Sequence, residues 1–157
     1  MRFLIKEVLP GDAEHLARIR DYLVRHWCVS PQEAEEHTTL KNAGSLPKMW
    51  VAILPTGTVA GHAMLALEPE GFCGINGQPW LQALFVDESL RQQGIGQALV
   101  GEVEQSCWRQ GYQWIYLDTM KEVGFYRSRG WQIIGNDLWR ERGELVTVMC
   151  KELHALR

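Results

Sequence analysis

The sequence predicts a mixed α/β fold, a central and mostly antiparallel sheet flanked by helices on both faces, and three observations carry that prediction. Runs of β-type residues follow one another without an intervening helix around residues 49–86 and again at the end, the pattern of antiparallel hairpins. In the middle, a strand-like run leads into a long amphipathic stretch and then a second short strand, the pattern of one parallel crossover. Finally, 157 residues with 46% apolar and 22% charged side chains can bury the full core of a single domain, residues 1–157, without disulfide or metal staples.

Residues 3–9 are β-rich and partly alternating, and Pro10-Gly11-Asp12 supplies a turn with Asp12 as helix cap. Leu16, Ile19, Leu23 and Trp27 then recur at three- and four-residue steps, an apolar stripe on a helix of about four turns. A second helix opens at Ser30-Pro31, with Ser30 as cap and Pro31 in the first helical position. Strands over 49–54 and 59–67 are joined by a hairpin loop at 55–58, and the glycines of 70–79 read as a flexible connection to a strand at 81–86. From Gly94, the positions Ile95, Leu99, Val103 and Cys107 mark a long helix that ends before Gly111. A short buried strand at 115–117, a brief helix near 122–129 stopped by Gly130, and strands near 131–134 and 145–150 complete the chain.

Charge and composition exclude several functions. Sixteen basic against nineteen acidic residues leave −3, with a pI near 5.9, so there is no bulk attraction to nucleic acid. No run of 18 apolar residues offers a membrane span, and the apolar start breaks at Lys6, too early for a secretion signal. Cys28, Cys73, Cys107 and Cys150 lack the spacing of a metal site, and free thiols fit a reducing, cytoplasmic setting. Seven tryptophans are a heavy load for this length, and Trp114 and Trp131, in strand-like runs, are expected in the core.

The chemistry concentrates where the strand at 81–86 ends. Asp87 to Gln93 form a polar loop, and Gly94 and Gly96 open the long helix. Such a start presents unpaired N–H groups and the positive end of the helix dipole, an anion site suited to a pyrophosphate, with Arg91 as a charged donor nearby. A Walker loop is excluded because no Lys-Ser or Lys-Thr follows the glycines. A dinucleotide fingerprint fits less well, since Leu99 stands at its third glycine position although Asp118 lies about 20 residues on.

The pattern Arg91-x-x-Gly94-x-Gly96 after a strand resembles the acetyl-coenzyme A motif of the GCN5-related N-acetyltransferases, and 124–131, Gly-Phe-Tyr-Arg-Ser-Arg-Gly-Trp, resembles that family's aromatic-Tyr-x-x-x-Gly-aromatic signature. The likeness in element order runs from about residue 3 to 151. It implies an acyl-CoA N-acyltransferase fold and transfer of an acetyl group from acetyl-CoA to a primary amine of a small molecule or peptide by direct attack. It also implies pyrophosphate held by the N–H groups of Gln92, Gln93, Gly94, Ile95, Gly96 and Gln97, and a pantetheine arm beside Leu84, Phe85 and Val86 that pairs with their backbone like another strand. Tyr126 falls on the family's tyrosine and is expected to protonate the departing thiolate; a backbone N–H at Val86 or its neighbour is expected to hold the growing negative charge. Thr119 stands where many relatives place an asparagine and is kept as a cofactor contact. Lys121, Arg127 and Arg129 either meet cofactor phosphates or form a solvated face.

The base is open among Glu68, Asp118 and a water relay, because Trp80 occupies the position at which some relatives carry a glutamate. His62 is read as a hydrogen-bonded structural histidine. The acceptor side draws on Trp27, Glu33, Glu35, Glu36, Phe72, Trp80, Trp139 and Glu141, a mixture of rings and acids suited to a cationic amine. Relatives are often homodimers, and surface tryptophan could serve such a contact. The competing reading is a non-catalytic acyl-CoA sensor.

Overall fold

The computed structural model describes residues 2–40 and 45–155. Seven strands form one sheet in the order β1-β2-β3-β4-β5-β7-β6, with β1 at Leu4–Glu7, β2 at Lys48–Ile53, β3 at Val59–Glu68, β4 at Gln78–Val86, β5 at Trp114–Thr119, β6 at Gln132–Trp139 and β7 at Glu144–Glu152. All neighbours are antiparallel except β4 and β5, which the crossover helix α3, Ile95–Arg109, makes parallel. The expected order of elements is thus found, and the differences lie at their ends. β6 runs well beyond 134, and β4 begins inside the segment read as flexible, where a short turn at Phe72–Gly74 is pinned by the Cys73 N–H donating to Asp137 at 2.7 Å.

Helices cover both faces. α3 and the short α4, Val123–Arg127, lie on one side, where Leu99, Val103 and Cys107 meet Trp50, Leu65, Leu81, Ile115, Leu117 and Met149. On the other side α1, Ala13–His26, sends Leu16, Ile19 and Leu23 against Met49, Val51 and Met64, with Ala34 of α2, Pro31–His37. The start of α2 is as expected: Ser30 Oγ accepts the Glu33 N–H at 3.0 Å, and the Glu33 carboxylate reaches back to the Ser30 N–H. Asp12, in contrast, makes no cap bond to α1; its carboxylate turns back to the Leu9 N–H at 2.9 Å and to Lys6. Among the described residues, no helix is long and apolar enough to cross a membrane, and the four cysteines are unpaired.

Candidate active site

The site grows from the one parallel joint among the described strands. A single register pair, Trp80 with Tyr116, links β4 to β5, and beyond it the two strands part. Leu84, Phe85 and Val86 therefore pair or pack toward β3 and leave the β5 side of their strand open. The loop after Val86 is held in shape by local bonds. Asp87 accepts from the Ser89 hydroxyl at 2.7 Å and its N–H at 3.0 Å, which keeps the Asp87 carboxyl below the usual carboxylate range, and Arg91 Nε donates to the Val86 carbonyl at 3.1 Å.

Gln92 and Gly94 both take positive φ, +63° and +86°, so the chain curls before the helix begins; only glycine adopts the second of these without strain at its Cβ. The first N–H taken by a carbonyl of this turn is that of Ala98, bonded to Gly94 O at 3.0 Å. The N–H groups of Ile95, Gly96 and Gln97 are the unpaired donors of a helix start. Gly96 is not required by its own neighbours, for a Cβ there would sit at ordinary contact distance, 3.6 Å, from Phe125 and Val86.

Three titratable groups meet around the gap. Tyr126 of α4 is 7% exposed, edge-on to Trp131 with ring centroids 5.9 Å apart. Burial raises its pKa well above the ordinary phenol value, and Glu122, Asp118 and Tyr22 of α1 push the same way, so groups from both faces of the sheet act on its hydroxyl. Asp118 of β5 is pushed up to about 6, first by burial and then by the nearby Glu68 carboxylate. Glu68 in turn accepts a hydrogen bond from the Gln82 amide at 2.5 Å. Alternation places Glu68, Trp80 and Gln82 on one face of β3 and β4, with Tyr116 and Asp118 continuing it on β5.

Other expected residues make local contacts of their own. Thr119 Oγ1 accepts the Glu122 N–H at 3.0 Å and turns the chain into α4. Arg129 lies over the Phe125 ring at 3.8 Å and reaches Gln97 of α3 at 3.4 Å, which ties α4 to the glycine helix, while Lys121 and Arg127 are exposed. Trp131 is buried as expected, but Trp114 is not a core residue: it is 39% exposed, since period two puts it on the Tyr116 side of β5 at the end of the strand. Trp80, expected to border the acceptor side, is 1% exposed and packs with Val146, Val148, Phe72 and Tyr116.

Glu33 is committed to its cap; Glu35, Glu36 and Glu141 are exposed, and Trp27 packs against the α1 layer. Sequence reasoning missed Arg142, which lies 5.2 Å from the centre of the Trp139 ring and donates to the His26 carbonyl at 3.0 Å. It straps the β6–β7 hairpin to the end of α1 across 116 residues of chain, a distance no local pattern reports. Among the described residues, no group of three His, Cys, Asp or Glu is placed to hold a metal ion.

Comparison with known proteins agrees with this geometry. No curated protein sequence matches the chain. The fold is that of a GNAT-family acetyltransferase from Staphylococcus aureus, 20% identical over 98% of this chain and 100% of that one, TM-score 0.66. A GCN5-related N-acetyltransferase from Kribbella flavida is 18% identical over 96% and 98%, TM-score 0.69. A Bacillus anthracis protein solved in complex with acetyl coenzyme A is 17% identical over 98% and 100%, TM-score 0.68. The model of the acetyltransferase (GNAT) family matches residues 16–131, which take in the glycine loop, the strand gap and Tyr126, and the chain belongs to that family.

Proposed function

We propose that this chain transfers an acetyl group from acetyl-CoA to a primary amine by direct attack, with Tyr126 as general acid and Asp118 as base. The observation that carries the reading is the parted β4–β5 joint, which brings open strand backbone, a helix start rich in N–H donors and two protonatable groups to one gap. A pantetheine arm bears amides that can pair with the open edge of Leu84 to Val86, and its pyrophosphate suits the N–H groups from Gln92 to Gln97. At Gly94 a Cβ would meet no protein atom within 4 Å, and the bare backbone there favours close approach of a phosphate.

The amine must lose a proton before it attacks, as a free alkylamine has a pKa of about 10.4. Asp118, pushed up to about 6, is charged at neutral pH yet more basic than an ordinary carboxylate, which suits a proton acceptor. Tyr126 keeps its proton throughout the working range and is therefore always ready to donate to sulfur as the C–S bond breaks. The acceptor is a small-molecule or peptide amine that enters over Tyr116 and Trp139 between α1 and the β6–β7 hairpin. Glu68 and Asp118, with the Tyr116 ring on the same face, favour a cation.

The test is thiol release from acetyl-CoA with a panel of small amines, polyamines, aminoglycosides and peptides, with the acetylated product identified by mass. Release above hydrolysis that depends on one class supports the reading. Tight cofactor binding with no amine-dependent release throughout the panel would instead favour an acyl-CoA sensor.

A further inference from the structure

Resting on the acetyl-transfer reading, we propose that His62 is a positioning residue: it holds the Ala83–Leu84 peptide so that the Leu84 N–H faces the gap between β4 and β5, where it donates to the thioester oxygen. The pairing of β3 and β4 runs Gly61 with Val86 and His62 with Phe85, then resumes at Met64 with Gln82. One β3 residue, Ala63, thus faces two on β4, Ala83 and Leu84, a β-bulge in the strand that lines the gap. Ala83 carries φ +53°, a left-handed conformation its Cβ disfavours, so something has to hold it.

His62 is what holds it. The ring is 2% exposed and its Nδ1 lies 2.7 Å from the Ala83 carbonyl. A carbonyl only accepts, so Nδ1 carries the proton and donates, and Nε2 does not carry one. The ring is fixed edge-on to Tyr22 at 4.8 Å and tilted against Phe85 at 5.5 Å. Burial lowers the His62 pKa to about 4, with Arg18 and His26 of α1 acting in the same direction, so the neutral tautomer persists at neutral pH. On the same short stretch, a Cβ at Gly61 would run into the Phe85 carbonyl, which brings β3 and β4 unusually close beside the bulge.

Topology then gives the direction. Strand order is β3-β4-β5, so His62 on β3 lies across β4 from β5. The C=O and N–H of one trans peptide point in opposite directions. With the Ala83 carbonyl drawn toward His62, the Leu84 N–H of that peptide turns toward β5, in the stretch where β5 no longer pairs. The bulge therefore shifts the expected charge-stabilising amide from the neighbourhood of Val86 to Leu84. In the reaction, the amine lone pair forms the new C–N bond while the carbonyl π pair moves onto oxygen, which the Leu84 N–H stabilises. Asp118 has by then taken the proton of the incoming ammonium; collapse restores the C=O and breaks C–S, sulfur takes a proton from Tyr126, and the second proton leaving the new amide nitrogen restores the Tyr126 phenol.

The experiment compares His62→Leu with His62→Asn, whose amide donates from about the Nδ1 position. With acetyl-CoA and the panel amine turned over fastest by the native protein, His62→Leu is expected to lower kcat at least about tenfold, with the KM for acetyl-CoA and CoA affinity within about twofold. His62→Asn should retain most of kcat, and adding Ala83→Gly to His62→Leu should recover part of it, because glycine accepts positive φ freely. The Leu84 amide proton, followed by NMR, should move when acetyl-CoA binds and much less with CoA. An unchanged kcat in folded His62→Leu, or a Leu84 amide signal that ignores both the substitution and the acetyl group, overturns the proposal. If the native protein acetylates no amine, the acetyl-transfer reading fails on its own. The Leu84 signal of ligand-free His62→Leu then still decides whether His62 sets the peptide, since an unmoved signal sinks that role too.

Discussion

The two sides of the β4–β5 gap are built by different means. The side proposed to hold the acetyl donor is backbone: one open strand edge, two residues at positive φ and a helix start, all within residues 84–97. The side proposed for the acceptor is made of side chains from distant segments, and long-range bonds hold it: Arg142 to the His26 carbonyl, and the Cys73 N–H to Asp137. A cofactor shared by a family can be recognised by geometry that any side chains permit, whereas an individual acceptor has to be recognised by the side chains themselves. This contrast predicts that changes at the helix start alter cofactor affinity with turnover spared, while changes at the groups inside the gap, the Leu84 amide among them, alter turnover with affinity spared.

The largest effect is expected at Tyr126→Phe, which keeps the ring packing on Trp131 and removes the proton. Saturated turnover should fall about 100-fold with cofactor affinity unchanged; unchanged turnover would remove Tyr126 from the mechanism. Asp118→Asn comes next, with a loss of about tenfold to 100-fold and disappearance of the limb of kcat/KM that rises through about pH 6. Its effect on stability has the opposite sign. The folded state holds the Asp118 proton more tightly than the unfolded chain does, so ionisation costs stability as pH rises from about 4 to 6. Asp118→Asn should therefore melt higher than the native protein at pH 7, with the gain gone below about pH 4; a lower melting temperature at pH 7 would contradict the buried charge.

On the donor side, Gly94→Ala places a Cβ at φ +86° and should weaken acetyl-CoA binding about tenfold by calorimetry, with kcat at saturation nearly unchanged. Ser30→Ala, far from the gap, removes the α2 cap and should cost about 1 kcal/mol, or about 3 °C in Tm, with no kinetic effect beyond that on the acceptor KM.

The same contrast explains what was readable in the sequence. Gly94 was legible because a left-handed turn leaves glycine as its trace, and Tyr126 sits in a contiguous signature. The order of strands and helices was also legible, since hairpins and one crossover leave distinct periodicities. Asp118 could be placed near the gap but not distinguished from Glu68, because its burial depends on β7 and β3, brought from about 30 and 50 residues away. Trp80 and Trp114 exchanged roles for a related reason: which end of a strand is covered depends on what packs there, and composition is silent on that. The Ala83 bulge had no sequence mark at all, as alanine is not a residue that advertises positive φ.

The single pairing between β4 and β5 also divides the chain mechanically. Among the described residues, β1 to β4 precede α3 and β5 to β7 follow Gly111, so beyond that pairing the halves adhere largely by burial, through the cluster of Leu99, Val103, Ile115, Leu117 and Met149 and that of Trp80, Val146 and Val148, with a few polar ties such as Arg142 to His26 and Cys73 to Asp137. Non-directional burial tolerates small rotations that a hydrogen-bonded ladder resists. The molecule thus has a fracture line at its centre, and a chain cut at Gly111 would yield two fragments whose reunion a ligand bridging the gap could drive.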